Sequence, residues 1–165
     1  MRSTVIDLPQ AIEHSRALAR EAGHSDLVDY RAGDLLNDPL EESDAALLAN
    51  ILHHFNPTQV AALLSRVRAV LRPGGTVAIW ELEAPRRDSR AGHGDLAALF
   101  FRLTSTSGAY HGEQYANWLA AAGFSEVRVL RPRMSPGRVL VLARAGSSGR
   151  RRNDSLTKKP SGQGG

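Results

Sequence analysis

Strand and helix patterns alternate along most of this chain, and this alternation limits the fold more than any other feature. A β-branched run at residues 4–8 precedes a helical pattern that begins at Pro9 and ends at Gly23. The same alternation continues with strand patterns at 27–31, 44–50 and 76–80 and a helical pattern at 56–71. Strands joined by helices and short loops form right-handed βαβ units. The sequence therefore predicts an α/β fold with a wound, mostly parallel sheet.

The C-terminal part continues this pattern and then loses it. It contains predicted helices at 96–103 and 112–122 and a closing pair of strands at 127–130 and 138–142. From Gly146 onward the chain is rich in Gly, Ser, Arg and Lys and has no apolar periodicity, which is typical of disorder. We therefore expect one folded domain at residues 1–145 and a disordered basic tail at 146–165.

The composition indicates a globular protein without membrane or disulfide features. Of the 165 residues, 42% are hydrophobic and 23% are charged. No apolar run reaches the roughly 20 residues that a membrane span needs, and Asp7 interrupts what would be the apolar core of a secretory signal. The chain has no cysteine, which excludes disulfides and thiolate metal ligands and fits a reducing compartment. We expect a cytoplasmic protein with no membrane partner and no metal site.

The basic charge is confined to the tail. Residues 146–165 contain five basic residues and one aspartate, which accounts for the whole net charge of +4. The remaining 145 residues are neutral overall, so no basic binding face is indicated there. A nucleic-acid role for the tail is less favoured than a solvated segment without a specific partner. We therefore expect no nucleic-acid partner.

Four polar side chains follow the first four predicted strands: Asp7, Asp34, His53 and Glu81. In a doubly wound sheet the carboxyl ends of the strands border one crevice, where such folds bind ligands. A carboxylate at such a strand end can accept hydrogen bonds from ribose hydroxyls. A histidine beside a carboxylate can act as a general base, held in the useful tautomer by that partner. We therefore expect the four side chains to converge on a site for a nucleoside cofactor and proton transfer.

Each of these residues also has a purely structural interpretation. Asp7 would cap the helix that follows it, and Asp34 follows a glycine, as in many turns. His53 would be a hydrogen-bonded loop residue, and Glu81 would be an exposed charge paired with an arginine that follows it. The joint pattern favours a site, because chance does not readily place such groups after four consecutive strands.

The motifs around these residues also occur in a characteristic order. They are Asp7-Leu8-Pro9, Gly33-Asp34-Leu35, Ile51-Leu52-His53, Leu71-Arg72-Pro73-Gly74-Gly75, Glu81 and Ala122-Gly123-Phe124. From about Thr4 to Ala143 the chain resembles the S-adenosylmethionine-dependent O-methyltransferases of the caffeate/hydroxyindole and bacterial polyketide-tailoring type. The Ile-Leu-His element separates this group from most other class I methyltransferases. The resemblance implies a Rossmann-like class I sheet with an antiparallel C-terminal strand.

This resemblance also implies an activity and roles for individual residues. The chain would transfer a methyl group from S-adenosylmethionine to a hydroxyl of a small aromatic or polyketide-like molecule. His53 would take the hydroxyl proton as general base, and Glu81 would orient it. Asp7 would bind the ribose hydroxyls of the cofactor, while Asp34 and Leu35 would border its adenine. Four aromatic residues would line the acceptor pocket or belong to the core: Tyr110, Trp118, Phe100 and Phe101.

The sequence departs from the family at its N-terminal end and at three positions. It begins at the family's second strand, so we expect the first strand, its glycine-rich loop and the helical domain that makes the family's homodimer to be missing. The strands at 4–8 and 44–50 would then each have an unpaired edge. Ala49 stands where plant members often have a lysine, His54 where an aspartate is found, and Ala109 where a further acidic residue is used.

Two other interpretations compete with an active methyltransferase. One is a non-catalytic truncated remnant of such an enzyme, with weak or no cofactor binding. The other is a nicotinamide-dependent oxidoreductase, because such folds share an acidic residue at the end of the second strand. The Pro-Gly-Gly turn and the Ile-Leu-His element favour the methyltransferase.

Overall fold

The computed structural model describes residues 2–24, 26, 28–84 and 108–146. The chain begins with β1 (Thr4–Asp7), α1 (Pro9–Glu21), β2 (Asp29–Ala32) and β3 (Ser43–Ala49). A 3₁₀ turn (Leu52–His54) is followed by α2 (Pro57–Val70) and β4 (Leu71–Leu82). The described part ends with α3 (Gly112–Ala121), β5 (Phe124–Leu130) and β6 (Arg138–Ala145). The predicted α/β fold is confirmed.

The strands form two groups. β3, β4, β6 and β5 lie side by side in that order, with β3 parallel to β4 and β6 antiparallel to both of its neighbours. β1 and β2 form a separate parallel pair. The prediction of mostly parallel strands with an antiparallel C-terminal strand is therefore confirmed. Among the described residues, no strand pairs with the second edge of β1 or with that of β3.

The main hydrophobic core lies between one face of the four-stranded group and helices α2 and α3. Every second residue of β4 is buried from Gly75 to Glu81, because successive side chains of a strand point to opposite faces. The buried residues of α2 recur at helical spacing and are Val60, Leu63, Leu64 and Val67. Each fully buried aliphatic side chain contributes about 1.5–3 kcal/mol. This packing holds the carboxyl ends of β3 and β4 in a fixed relation.

A capping box begins α2 just after the 3₁₀ turn. The side chain of Asn56 accepts a hydrogen bond from the Gln59 N–H at 3.0 Å, and the Gln59 side chain accepts one from the Asn56 N–H at 3.0 Å. Pro57 occupies the first helical position, where a missing N–H costs nothing. Such a cap is worth about 0.5–2 kcal/mol. It therefore fixes where the turn ends and the helix begins.

Residues 73–75 give the clearest difference between the sequence pattern and the structure. The Pro-Gly-Gly pattern predicts a turn before a strand, whereas β4 already begins ahead of it and contains an irregularity in its pairing with β3. Gly74 has a φ of 80°, which favours glycine. A Cβ atom on Gly75 would lie 2.9 Å from the carbonyl oxygens of both Arg72 and Asp44. Glycine at this point lets β3 and β4 approach each other and resume regular pairing.

Other boundaries differ by a few residues from the sequence patterns. β2 covers Asp29–Ala32 rather than 27–31, and β5 begins at Phe124 rather than at 127. Pairing with β6 extends β5 toward its N-terminus, which the apolar pattern alone does not indicate. The predicted helix at 96–103 and all but the first residue of the predicted tail lie outside the described residues. In the described ranges, the helices are too short or too polar to cross a membrane.

Candidate active site

The turn after β3 carries the histidine that the sequence pattern singles out. Asn50 leaves the strand with a φ of 51°, a conformation that asparagine tolerates better than most residues. Its N–H donates to the Trp80 carbonyl oxygen at 2.9 Å. The chain then enters the 3₁₀ turn, where the exposed fraction of His53 is 3%. The backbone thus holds a buried imidazole at the carboxyl end of β3.

Glu81, at the carboxyl end of β4, binds this turn from the neighbouring strand. Its side chain is fully buried, and Oε1 accepts hydrogen bonds from the N–H groups of Ile51 and Leu52, each at 2.7 Å. Oε2 lies 2.9 Å from Nδ1 of His53. Burying a carboxylate is costly unless its oxygens are hydrogen-bonded, and here both are. The alternative that Glu81 is an exposed charge at a strand end is therefore wrong.

This contact determines which nitrogen of His53 is available for chemistry. An ionised carboxylate only accepts hydrogen bonds, so Nδ1 of His53 carries a hydrogen and donates it to Glu81. Nε2 then keeps a lone pair that can accept a proton. The pair has the arrangement of a general base and the carboxylate that orients it.

His54 lies beside His53 and is exposed to solvent. The two ring centroids are 4.1 Å apart, with the planes tilted by 46°. Desolvation, followed by the neighbouring His53, lowers the pKa of His54 below the ordinary value of 6.5. The charges of Glu81 and Asp7 act in the opposite direction. The lowered pKa favours the uncharged form of the His54 ring.

Asp7 lies at the carboxyl end of β1. Its half-buried carboxylate accepts a hydrogen bond from the Leu8 N–H at 2.8 Å. Its charge raises the pKa of His54, so the two side chains lie within electrostatic range of each other. His53 and Glu81 thus meet at the ends of β3 and β4, and Asp7 of β1 lies within electrostatic range of the same turn. This is consistent with a crevice at strand ends.

Asp34 lies in the loop after β2, and its carboxylate binds that loop. Oδ1 accepts a hydrogen bond from the Leu36 N–H at 2.8 Å, and Oδ2 accepts one from the Asn37 side-chain amide at 2.6 Å. These two hydrogen bonds, that of Asn37 first, lower the pKa of Asp34. Its N–H donates to the Asp38 carboxylate at 2.7 Å. Within the described residues, every hydrogen bond of Asp34 is to its own loop.

The neighbours of Asp34 attach this loop to the rest of the site. The Leu35 side chain packs against the main core, and its carbonyl oxygen accepts a hydrogen bond from Arg66 of α2 at 3.1 Å. The Gly33 N–H donates to the Asp7 carbonyl oxygen at 2.9 Å. A Cβ atom on Gly33 would come within 3.3 Å of the Ile6 side chain, so the loop crosses close to β1. The Gly-Asp-Leu element therefore lies directly beside the end of β1.

Two further polar side chains make contacts that the sequence did not indicate, although Tyr110 was a candidate for the acceptor pocket. The Tyr110 hydroxyl donates to the Phe55 carbonyl oxygen at 2.8 Å. Glu83 accepts two hydrogen bonds from Arg131, at 2.7 and 2.6 Å. The first contact joins residues that are 55 positions apart in the sequence, and the second joins residues that are 48 positions apart. A local periodicity cannot indicate a contact over such a separation.

The aromatic residues near the site belong partly to the core. Tyr115 is fully buried, while Tyr110 and Trp118 are half-buried and pack against the main core. Burial raises the pKa of Tyr115, and the charge of Glu81 adds to the effect. The other two candidates for the acceptor pocket, Phe100 and Phe101, lie outside the described residues.

Comparison with known families shows to which of the families with this fold the chain belongs. Residues 1–125 match the family model described as the O-methyltransferase domain. The chain belongs to the O-methyltransferase domain family. The resemblance drawn from the ordered motifs is confirmed, and the oxidoreductase interpretation loses its support.

Curated relatives agree with this membership. The chain is 32% identical over 129 residues to the tetracenomycin polyketide synthesis 8-O-methyl transferase TcmO of Streptomyces glaucescens. It is 39% identical over 138 residues to a 3-hydroxy-5-methyl-1-naphthoate 3-O-methyltransferase of Streptomyces sahachiroi, and 35% identical over 156 residues to the acetylserotonin O-methyltransferase of Mus musculus. The matches cover 78%, 79% and 90% of this chain but 38%, 38% and 39% of the relatives. The chain thus spans less than half the length of these relatives.

Solved structures share the fold. The O-methyltransferase family 2 protein from Planctomyces limnophilus, in complex with apigenin, is 27% identical with a TM-score of 0.76, over 87% of this chain and 42% of that one. Human N-acetylserotonin methyltransferase, in complex with SAM, is 24% identical with a TM-score of 0.69, over 87% and 40% of the two chains. The class I methyltransferase fold is therefore confirmed.

Proposed function

We propose that this site transfers a methyl group from S-adenosylmethionine to a hydroxyl of a small aromatic or polyketide-like molecule, with His53 as general base. The observation that carries the proposal is the buried contact between His53, in the turn after β3, and Glu81, on the adjacent parallel strand β4. Membership of the O-methyltransferase domain family supports it. The reaction needs one proton removed from a hydroxyl, and a held imidazole performs this task.

In this proposal His53 takes the hydroxyl proton at Nε2. The hydrogen bond from Nδ1 to Glu81 keeps the ring in one orientation while this happens. The imidazolium that forms lies beside a buried carboxylate, which stabilises its charge. General-base assistance contributes about 10²–10⁴-fold to the rate, and positioning of the two reactants contributes up to about 7–11 kcal/mol.

The residues at the strand ends fit the cofactor that the family uses. S-adenosylmethionine, when bound, supplies a methyl group that its positive sulfur already activates. Asp7 would accept hydrogen bonds from the ribose hydroxyls, because its carboxylate makes one bond to Leu8 and keeps further acceptor capacity. Asp34 and Leu35 would border the adenine, and their loop lies beside Asp7. Asp34 would accept from the adenine amine with lone pairs that its own loop leaves unused.

The names of the relatives support the choice of acceptor class. They specify methylation on oxygen in tetracenomycin polyketide synthesis, on a hydroxylated naphthoate and on acetylserotonin. We therefore place the acceptor among small aromatic molecules that carry a hydroxyl.

A second candidate is a non-catalytic remnant of such a methyltransferase. The observation that favours it is the pair of edges on β1 and β3 that no strand of the described ranges covers. The side chains of Val5 on β1 and Leu47 on β3 are 38% and 67% exposed, although both are large and apolar. In a complete cofactor crevice we would expect paired strand edges and covered apolar side chains, and the described residues show neither at these two strands.

Isothermal titration calorimetry can exclude the second candidate, because a remnant with weak or no cofactor binding would not show a micromolar Kd. For the 165-residue chain we expect weak or no binding of S-adenosylmethionine, and a micromolar Kd would contradict this expectation. The DNA directly upstream of the Met1 codon gives a second criterion. An in-frame strand followed by a glycine-rich turn would indicate part of a complete enzyme, whereas its absence would favour the remnant.

Substitutions in a catalytically active form of the protein test the roles of these residues. His53→Ala is expected to lower kcat by about 10²–10⁴-fold with little change in cofactor affinity. Asp7→Ala is expected to weaken cofactor binding instead. His14→Ala, on the exposed face of α1, is the matched control and should leave both quantities unchanged. Turnover at the wild-type rate in the His53 variant would remove this residue from the base role.

A further inference from the structure

Tyr110 joins the histidine turn to the end of β4 a second time. Its hydroxyl donates to the carbonyl oxygen of Phe55, which lies two residues after His53. Its backbone pairs with Glu83, which lies two residues after Glu81. Tyr110 therefore connects the same two segments that the contact between His53 and Glu81 connects.

The ring of Tyr110 is itself held in place. The Trp118 ring packs edge-to-face against it with centroids 4.9 Å apart and planes at 89°. The Tyr115 ring does the same at 5.9 Å and 87°. Such edge-to-face contacts restrict the orientation of a ring. The Tyr110 hydroxyl is thus directed at the turn by its neighbours.

The two connections hold opposite ends of the turn. Glu81 binds its start, through the N–H groups of Ile51 and Leu52. Tyr110 binds its end, through the Phe55 carbonyl oxygen. The second contact therefore restricts movement of the turn about its hydrogen bonds to Glu81. The imidazole lies between the two contacts, and a base works only within a narrow range of geometries.

We infer that Tyr110 is a positioning residue for His53 and acts through the Phe55 carbonyl group. The phenol has a single hydroxyl hydrogen, and its hydrogen bond to Phe55 uses that hydrogen. Tyr110 therefore cannot donate this hydrogen to the methyl acceptor at the same time. The catalytic meaning of this role rests on the proposed function, but the effect on the turn does not.

Tyr115 provides a matched control. It belongs to the same aromatic cluster and is fully buried, and none of the described hydrogen bonds joins its hydroxyl to the histidine turn. A change from tyrosine to phenylalanine removes the same atom at either position and keeps the ring. The variants Tyr110→Phe and Tyr115→Phe therefore differ in the hydrogen bond to Phe55.

Amide hydrogen exchange measured by NMR on the 165-residue chain tests the inference. In Tyr110→Phe, the N–H groups of Ile51 and Leu52 are expected to exchange about 3–10-fold faster than in the wild type, because the turn opens locally. The N–H groups in the middle of α2 should keep their wild-type rates. The chemical shift of the His53 Nδ1 proton, which reports its bond to Glu81, should also move. In Tyr115→Phe all three readouts should match the wild type.

Three results would overturn the inference. One is unchanged exchange at Ile51 and Leu52 in Tyr110→Phe, and another is equal acceleration in Tyr115→Phe. The third is an acceleration that extends equally to α2, which would report a general loss of stability. The experiment contains no methyl donor, so its failure is distinct from that of the proposed function, which wild-type turnover in His53→Ala would reveal.

Discussion

Glu81→Leu is expected to have a large effect on stability, because it removes three hydrogen bonds and keeps most of the side-chain volume. The N–H groups of Ile51 and Leu52 and the Nδ1–H of His53 would all lose their acceptor. Water does not replace it easily, since Glu81 is fully buried and His53 is 3% exposed. A buried donor without a partner costs about 1–3 kcal/mol, and we take about 1–2 kcal/mol for each of the three. The free energy of unfolding should therefore fall by about 3–6 kcal/mol.

Glu81→Gln separates this structural effect from the chemistry of the imidazole. The amide oxygen can still accept from Ile51 and Leu52, so the loss of stability should be about 1–2 kcal/mol. The amide nitrogen, however, faces Nδ1 of His53 with hydrogens that only donate. His53 would then carry its hydrogen on Nε2 and could no longer accept a proton there. In a catalytically active form of the protein, kcat should fall by about 10²–10⁴-fold.

Urea denaturation and NMR measure the two effects independently. The denaturation midpoint, at constant slope, gives the change in the free energy of unfolding for each variant. The ¹⁵N shifts of the His53 ring report its tautomer. Equal losses of stability in the leucine and glutamine variants would refute the hydrogen-bond reasoning. An unchanged tautomer in the glutamine variant would refute the argument that Glu81 orients the base.

Three further changes have expected outcomes. Gly75→Ala places a Cβ atom 2.9 Å from two backbone oxygens and should lower the free energy of unfolding, measured in urea, by about 1–3 kcal/mol. The pKa of His54 is lowered in the folded chain, so the unfolded chain binds more protons below pH 6.5. Stability should therefore fall as the pH decreases from 6.5 toward the folded pKa, and urea titrations of His54→Gln should show a weaker dependence. Glu83→Gln weakens the paired hydrogen bonds to Arg131 and should cost about 1–2 kcal/mol, whereas Glu42→Gln, at an exposed ion pair, should cost close to nothing.

The periodicity of apolar residues predicted the fold class correctly because each pattern reports a local property. A β-branched run or a helical spacing indicates which side of an element is buried, and this was enough to recognise the alternation that β1, α1, β3 and α2 follow. Element ends were less accurate where strand pairing decides them. β5 extends to Phe124 because β6 pairs with it there. β4 includes Gly75 because the pairing of β4 with β3 continues on both sides of the irregularity.

The order of residue types along the chain predicted that Asp7, His53 and Glu81 lie at or after the carboxyl ends of strands, and the structure has them at those positions in the sequence of elements. Parallel strands have their carboxyl ends at the same edge of a sheet. Which of these side chains touch was a matter of packing in three dimensions. Glu81 reaches His53 across 28 positions of sequence because β3 and β4 pair in one particular register, while Asp34 bonds to its own loop. A hydrogen bond of about 3 Å depends on register and side-chain direction, and neither is contained in the period of a sequence pattern.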